Sequence, residues 1–130
     1  MRYWCFVLIS LIAGSVFAQT AADISAKGGK KLSNEESQRL IPGATVAFTT
    51  TGPSFTLSHD QAGNINGTGM GRRGSFMAGG SWKINDTGKL CQNVTTPAGN
   101  LGGCHDVYRL GEDYFFVGDD GKPMPRKISR

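Results

Sequence analysis

Histidine and cysteine are scarce in this chain of 130 residues, which holds two of the first and three of the second. A zinc centre draws three or four ligands from Cys, His and acidic side chains, and a redox pair usually reads Cys-x-x-Cys. Neither pattern occurs. His105 directly follows Cys104, but neighbouring residues of a strand point to opposite faces and do not grip one ion. No metal site and no cofactor is therefore expected. Glutamate is almost as rare. Glu35 and Glu36 fall at the start of a short helical pattern and Glu112 in a turn, so no paired carboxylates suggest glycoside hydrolysis. Ser54, Ser58, Ser75 and Ser81 lack the Gly-x-Ser-x-Gly elbow of a hydrolase. A non-enzymatic protein is the expectation.

A long apolar run is also missing, and what stands in its place is a leader. Arg2 gives a positive start, Cys5 to Ala13 an apolar core, and Val16-Phe17-Ala18 a small-residue ending suited to signal peptidase. The core is too short to cross about 30 Å of hydrocarbon. Residues 1–18 are read as a signal peptide, which removes Cys5 and makes Gln19 the first residue of the exported chain. Cys91 and Cys104 then remain as an even pair in an oxidising compartment, and they are expected to form one disulfide. A periplasmic or secreted protein follows, with no stable membrane span once the leader is gone.

Residues 19–31 carry Ala, Ser, Gly and Lys without apolar period and read as a flexible arm. Residues 32–130 read as a single β-rich domain. Ser33 and Glu36 form a capping-box pattern, and Pro42-Gly43 stops the short helix they begin. From Ala44 onward the period is two. Val46 and Phe48, then Phe55 and Leu57, alternate with small polar residues, and Phe76, Ala78, Gly80, Trp82 and Ile84 share one face of a longer strand. Asp60 to Asn64, Asn85 to Gly88, Gly111 to Asp113 and Gly118 to Gly121 supply turns, while Thr95 to Gly103 reads as a Pro/Gly/Asn loop. Pro123 and Pro125 mark the last segment as an edge strand or an extended tail. Hairpin-length connections force antiparallel neighbours. The fold expected is mainly β: a small antiparallel meander curling into a barrel or half-barrel, with one short N-terminal helix. Phe55, Leu57, Trp82, Ile84, Tyr108, Tyr114 and Phe116 are assigned to its core.

Gly69-Met-Gly71-Arg-Arg-Gly74 has the letters of a dinucleotide fingerprint, but a strand-like segment follows where a helix is required. The glycines are better used to bend a sheet. Arg72 and Arg73, set among them, are the chosen donors for an anionic ligand, with His59 as a neighbour. The net charge of +4 is concentrated partly in Lys122, Arg126, Lys127 and Arg130. No aromatics interleave with these for base stacking, so no nucleic-acid partner is expected.

Gly80-Ser-Trp82, Gly88-Lys-Leu-Cys91, Gly103-Cys104-His-Asp-Val107-Tyr and Asp113-Tyr114 together resemble a family of small secreted bacterial proteins of unknown function. Its amino half has a capped helix ending in a step like Ile41-Pro-Gly43-Ala-Thr-Val46. The resemblance implies a periplasmic location and a disulfide; it implies no activity and no site residues. The function expected is binding of a small or anionic ligand, and the alternative is an interaction or inhibitor module acting on an envelope protein.

Overall fold

A computed structural model describes residues 20–130. Residues 1–18, read from the sequence as a signal peptide, lie outside the described residues. Two short helices, α1 (Ala21–Ala26) and α2 (Asn34–Leu40), accompany nine strands: β1 (Lys30–Lys31), β2 (Thr45–Thr49), β3 (Ser54–His59), β4 (Asn64–Gly71), β5 (Gly74–Ile84), β6 (Leu90–Thr96), β7 (Gly99–Leu110), β8 (Asp113–Val117) and β9 (Pro123–Ser129). From β2 to β7 each strand pairs with the next, as short turns dictate. β7 continues to β8 and β8 to β9, and β9 returns to β2, so the eight strands β2–β9 close into an antiparallel barrel. Closure removes the open edges that a half-barrel would leave exposed.

Turn chemistry explains the register. The Asp60 carboxylate accepts the backbone N–H groups of Ala62 (3.0 Å) and Asn64 (2.8 Å), and Asn85 does the same for Thr87 and Lys89. These side chains stand in for backbone partners at the β3–β4 and β5–β6 hairpins. Cys91 lies directly opposite Cys104 in the β6–β7 ladder and is bonded to it. Because Lys83 pairs with Cys91 and points outward beside it, the disulfide rivets the outer wall.

Alternate residues fill the interior. One cluster joins Leu32, Ile41, Val46, Leu90, Val107 and Phe116; the other joins Phe55, Leu57, Ile65, Ala78 and Val94, and Phe48 and Trp82 pack against both. Two glycines show why this strand region is so rich in them. A Cβ on Gly69 would strike the Phe76 ring, and one on Gly80 would strike the Asn93 carbonyl of the next strand. The glycine run thus lets rings and neighbouring strands approach inside a narrow barrel. No helix follows it, since Gly74 already begins β5.

α2 covers one end of the barrel. Ser33 Oγ accepts from the Glu36 amide and the Glu36 carboxylate accepts from the Ser33 amide, each at 3.2 Å, which fixes the start of the helix. Its far end is held by Arg130, whose guanidinium donates to the carbonyls of Arg39 (2.7 Å) and Pro42 (3.0 Å). Those carbonyls have no partner within the helix, and a cation there suits the helix dipole.

Four expectations are corrected. The stretch read as a flexible arm contains α1, capped by Thr20 and Asp23, and Ile24 is fully buried. One anchoring side chain leaves no periodic signal. β1 then pairs Lys30 and Lys31 with Arg109 and Tyr108. The loop assigned to Thr95–Gly103 is two strands meeting at Pro97-Ala98, with Gly99, Gly102 and Gly103 at φ of 128 to 138°. Such backbone is open to glycine alone, so the segment stays extended without a strand-like composition. Tyr108 pairs with Phe115 on the outer face, while Val107 and Phe116 take the interior. β9 is a member of the ring rather than an edge strand or tail, although its ladder to β2 holds only the three pairs from Thr45–Ser129 to Ala47–Lys127. That ladder stops short of Pro125, which has no amide to give.

Replacing both Cys91 and Cys104 with Ala should lower stability by about 3 kcal/mol, the chain-entropy value for a loop of this size. Urea unfolding of the oxidised protein and the double variant measures it, and coincident curves would show that the rivet carries no stability. Gly80→Ala should also destabilise, because the added Cβ meets a strand carbonyl that cannot move alone; an unchanged midpoint would contradict the close approach.

Candidate functional site

Three places in the barrel combine polar chemistry with space or burial. The first is the end opposite α2. There the β2–β3 turn, the β4–β5 tip and the β6–β7 tip surround a cavity of about 850 Å³. Its apolar lining includes Phe55, Phe76, Met70 and Leu101, and Arg72 and Arg73 stand on its border. Gly71 faces Gly74 in the ladder, so the two arginines form a two-residue hairpin tip. Both are exposed, as are Met70 (56 %) and Leu101 (41 %). The tip position follows from the flanking glycines: Gly74 has φ of 107°, which few side chains tolerate.

The second place is around His59, which the structure does not bring to the arginines. Five residues separate it from Ser54, a distance of about 17 Å along a strand, and it borders the covered end rather than the mouth. His59 is buried at 1 % exposure. Its Nε2–H donates to Gln92 Oε1 at 2.5 Å, and the Trp82 ring lies 6.0 Å away, centroid to centroid. Trp82 in turn donates from Nε1 to the Asp60 carbonyl at 3.0 Å. Burial pushes the His59 pKa down, against the opposing pull of the Gln92 and Leu57 hydrogen bonds. Burial favours the neutral imidazole, which ties β3 to β6 through Gln92, while its Nδ1 is buried without a partner.

The third place was not singled out from the sequence. Arg126 of β9 points inward, with its guanidinium carbon 3.9 Å from the Phe48 centroid and 5.3 Å from that of Phe116. Burial lowers its pKa to about 10. The nearby His105, stacked on Phe116 at 6.2 Å, is pushed down first by its own burial and then by the Arg126 charge. In the sequence Arg126 sits in a basic tail and reads as solvated. Only the parity of β9, set by its pairing with β8, reveals that it faces in.

Among the described residues, no group of three or more His, Cys, Asp or Glu could hold a metal ion. No helix among them is long and apolar enough to cross a membrane. Glu36 and Asp60 are pulled below the usual carboxylate range, chiefly by hydrogen bonds from the backbone at Ser33 and Asn64 respectively. Both carboxylates serve turns or caps.

These features define a class: a small antiparallel barrel of eight strands, pinned by one outer-wall disulfide and covered at one end by a capped helix. The chain belongs to the family described as "Protein of unknown function (DUF995)", whose profile matches residues 8–107. The match runs into β7 and ends before β8 and β9. No curated protein and no solved structure matches the chain.

Both histidines have folded pKa values below their ordinary one, so the unfolded chain binds protons more readily as pH falls. Their contribution is complete above about pH 6.5 and is lost as pH drops through the lowered folded values. The unfolding midpoint should therefore decline from about pH 6.5 downward, and less steeply in a His59→Asn, His105→Asn variant. Identical slopes in the two proteins would contradict the buried neutral state.

Proposed function

We propose that this chain is an exported, non-enzymatic binding domain that takes a small amphiphilic anion into the mouth of its barrel. The observation that carries the reading is one cavity bordered by both Arg72 and Arg73 and floored by Phe55, Phe76 and Leu101. Its size lies within the roughly 300–1,000 Å³ range of small-molecule pockets, which are mostly apolar with a few placed polar groups. An acyl or aryl body fits the floor. A carboxylate at the border would meet two guanidiniums capable of charge-assisted, forked bonds. His59 takes no part in this reading.

Periplasmic or secreted residence is supported by the leader pattern of residues 1–18 and by the Cys91–Cys104 disulfide, a bond that persists in oxidising compartments.

The test uses decanoate and decanol as probes in a thermal-unfolding titration, where a ligand of the folded state raises the midpoint by mass action. Decanoate should stabilise the wild type saturably and more than decanol. An Arg72→Ala, Arg73→Ala variant should lose that preference by about tenfold in affinity, the scale of one or two exposed charge-assisted bonds. No saturable stabilisation by decanoate, or the same preference in the double variant, would overturn the assignment.

A further inference from the structure

The barrel wall has a second opening, at its shortest seam. β2 and β9 pair only from Thr45–Ser129 to Ala47–Lys127, and beyond that Phe48 and Thr49 of β2 have no ladder partner on β9. A cavity of about 890 Å³ lies over this part of the wall. Residues from both faces of the strands border it: Phe48 and Arg126 from the interior parity, Thr49 and Pro125 from the exterior. The cavity thus lies where the β2–β9 ladder has ended. Tyr114 and Phe115 complete its aromatic side.

Arg126 is incompletely paired at this gap. Its guanidinium donates to the Pro125 carbonyl at 2.9 Å and contacts the Met124 sulfur at 3.7 Å, while Nε is buried without a partner. Among the described residues the ion pairs are Lys30–Glu36 and Lys89–Asp106, and neither includes Arg126. A desolvated cation held only by ring faces and a carbonyl is expensive to keep in a core. Phe48 and Phe116 offset part of that cost, because a ring face attracts a cation. A planar, five-donor fork beside a cavity is suited to a carboxylate arriving from outside.

We propose that the gap between β2 and β9 is a binding site for small aromatic carboxylates, with Arg126 taking the carboxylate and Phe48 and Tyr114 holding the ring. Exposed Glu112 and Asp113 border the cavity and oppose an anion, while Lys127 favours it. These charges act through water and are screened, whereas Arg126 is not. The site is separate from the barrel mouth and does not depend on the reading given for it.

Benzoate and its neutral counterpart benzyl alcohol are the probes, titrated against the whole exported chain and followed by NMR of the Arg126 Nε–H and the Phe48 and Tyr114 ring signals. Benzoate should bind saturably and at least tenfold more tightly than benzyl alcohol. Arg126→Met, which replaces a buried charge with an apolar chain of similar length, should lose at least tenfold for benzoate while remaining folded. Arg126→Lys keeps the charge without the fork and should lose at least threefold, and it reads the same contact should the Met variant not fold. Benzoate held only at the barrel mouth would leave the Arg126, Phe48 and Tyr114 signals unmoved, and that result too would overturn the proposal. Absence of saturable shifts at millimolar benzoate, equal affinity for the two probes, or wild-type affinity in an Arg126 variant would each overturn the proposal.

Discussion

Everything in this barrel is tied to the return of β9 to β2, because that contact turns a run of hairpins into a closed ring. The other seams follow from sequence neighbours joined by short turns, and each would form in an open meander. The β2–β9 seam joins the first and last strands of the ring and rests on three residue pairs. Hydrophobic parity carries it across the gap: Val46 faces in and lies opposite Ile128, and both pack on the cluster around Leu90, Val107 and Phe116. Arg130 reinforces it one residue beyond the strand by reaching the carbonyls at the end of α2. The helix cap and the ring closure are therefore one structural event. The cost is a ladder that ends before Pro125, and that shortness leaves the aperture beside Arg126.

The polar interior follows from the same economy. A barrel whose apolar side chains form two clusters has leftover inward positions where the strands pass between them. His59 and Gln92 fill one such position through the bond from Nε2 to Oε1, and burial favours the neutral imidazole there. Arg126 fills another with only ring faces and a carbonyl, so its charge is supported but not neutralised. Each keeps one ring or guanidinium nitrogen buried without a partner, but His59 is held by a side-chain bond and needs no counter-ion, whereas Arg126 is a buried cation outside both ion pairs. This contrast separates His59 from Arg126 although both lie inside the wall.

Much of the fold was legible because strand period and turn chemistry act locally. Phe55, Leu57, Trp82 and Ile84 reveal their face by alternation, and Asp60 and Asn85 reveal their turns by the bonds their side chains make. The disulfide was legible from the even pair of cysteines that follows the segment read as a leader, and it is present. The rest depends on information that the local sequence does not hold. Tyr108 and Val107 are both good interior residues, and only the register with β8 decides between them. Ile24 anchors α1 alone, so no pattern announces it. Gly99, Gly102 and Gly103 look like a loop because glycine marks loops and strained extended strands alike. For the candidate sites, Arg72 and Arg73 stood out by their glycine setting, and the structure places them on the border of a cavity. Arg126 did not stand out, because a basic residue between a proline and a lysine reads as solvent-facing until the ring is closed.

Cross-strand proton contacts at the β2–β9 seam test the account most directly. Closure as described predicts NOEs between Val46 and Ile128 and between Ala47 and Lys127, and none between Thr49 and Pro125, where the ladder has ended. Missing contacts at Val46 and Ile128 would mean an open meander, and contacts continuing to Thr49 and Pro125 would mean a sealed wall; either result would contradict a ring closed by a short seam with a gap beside it.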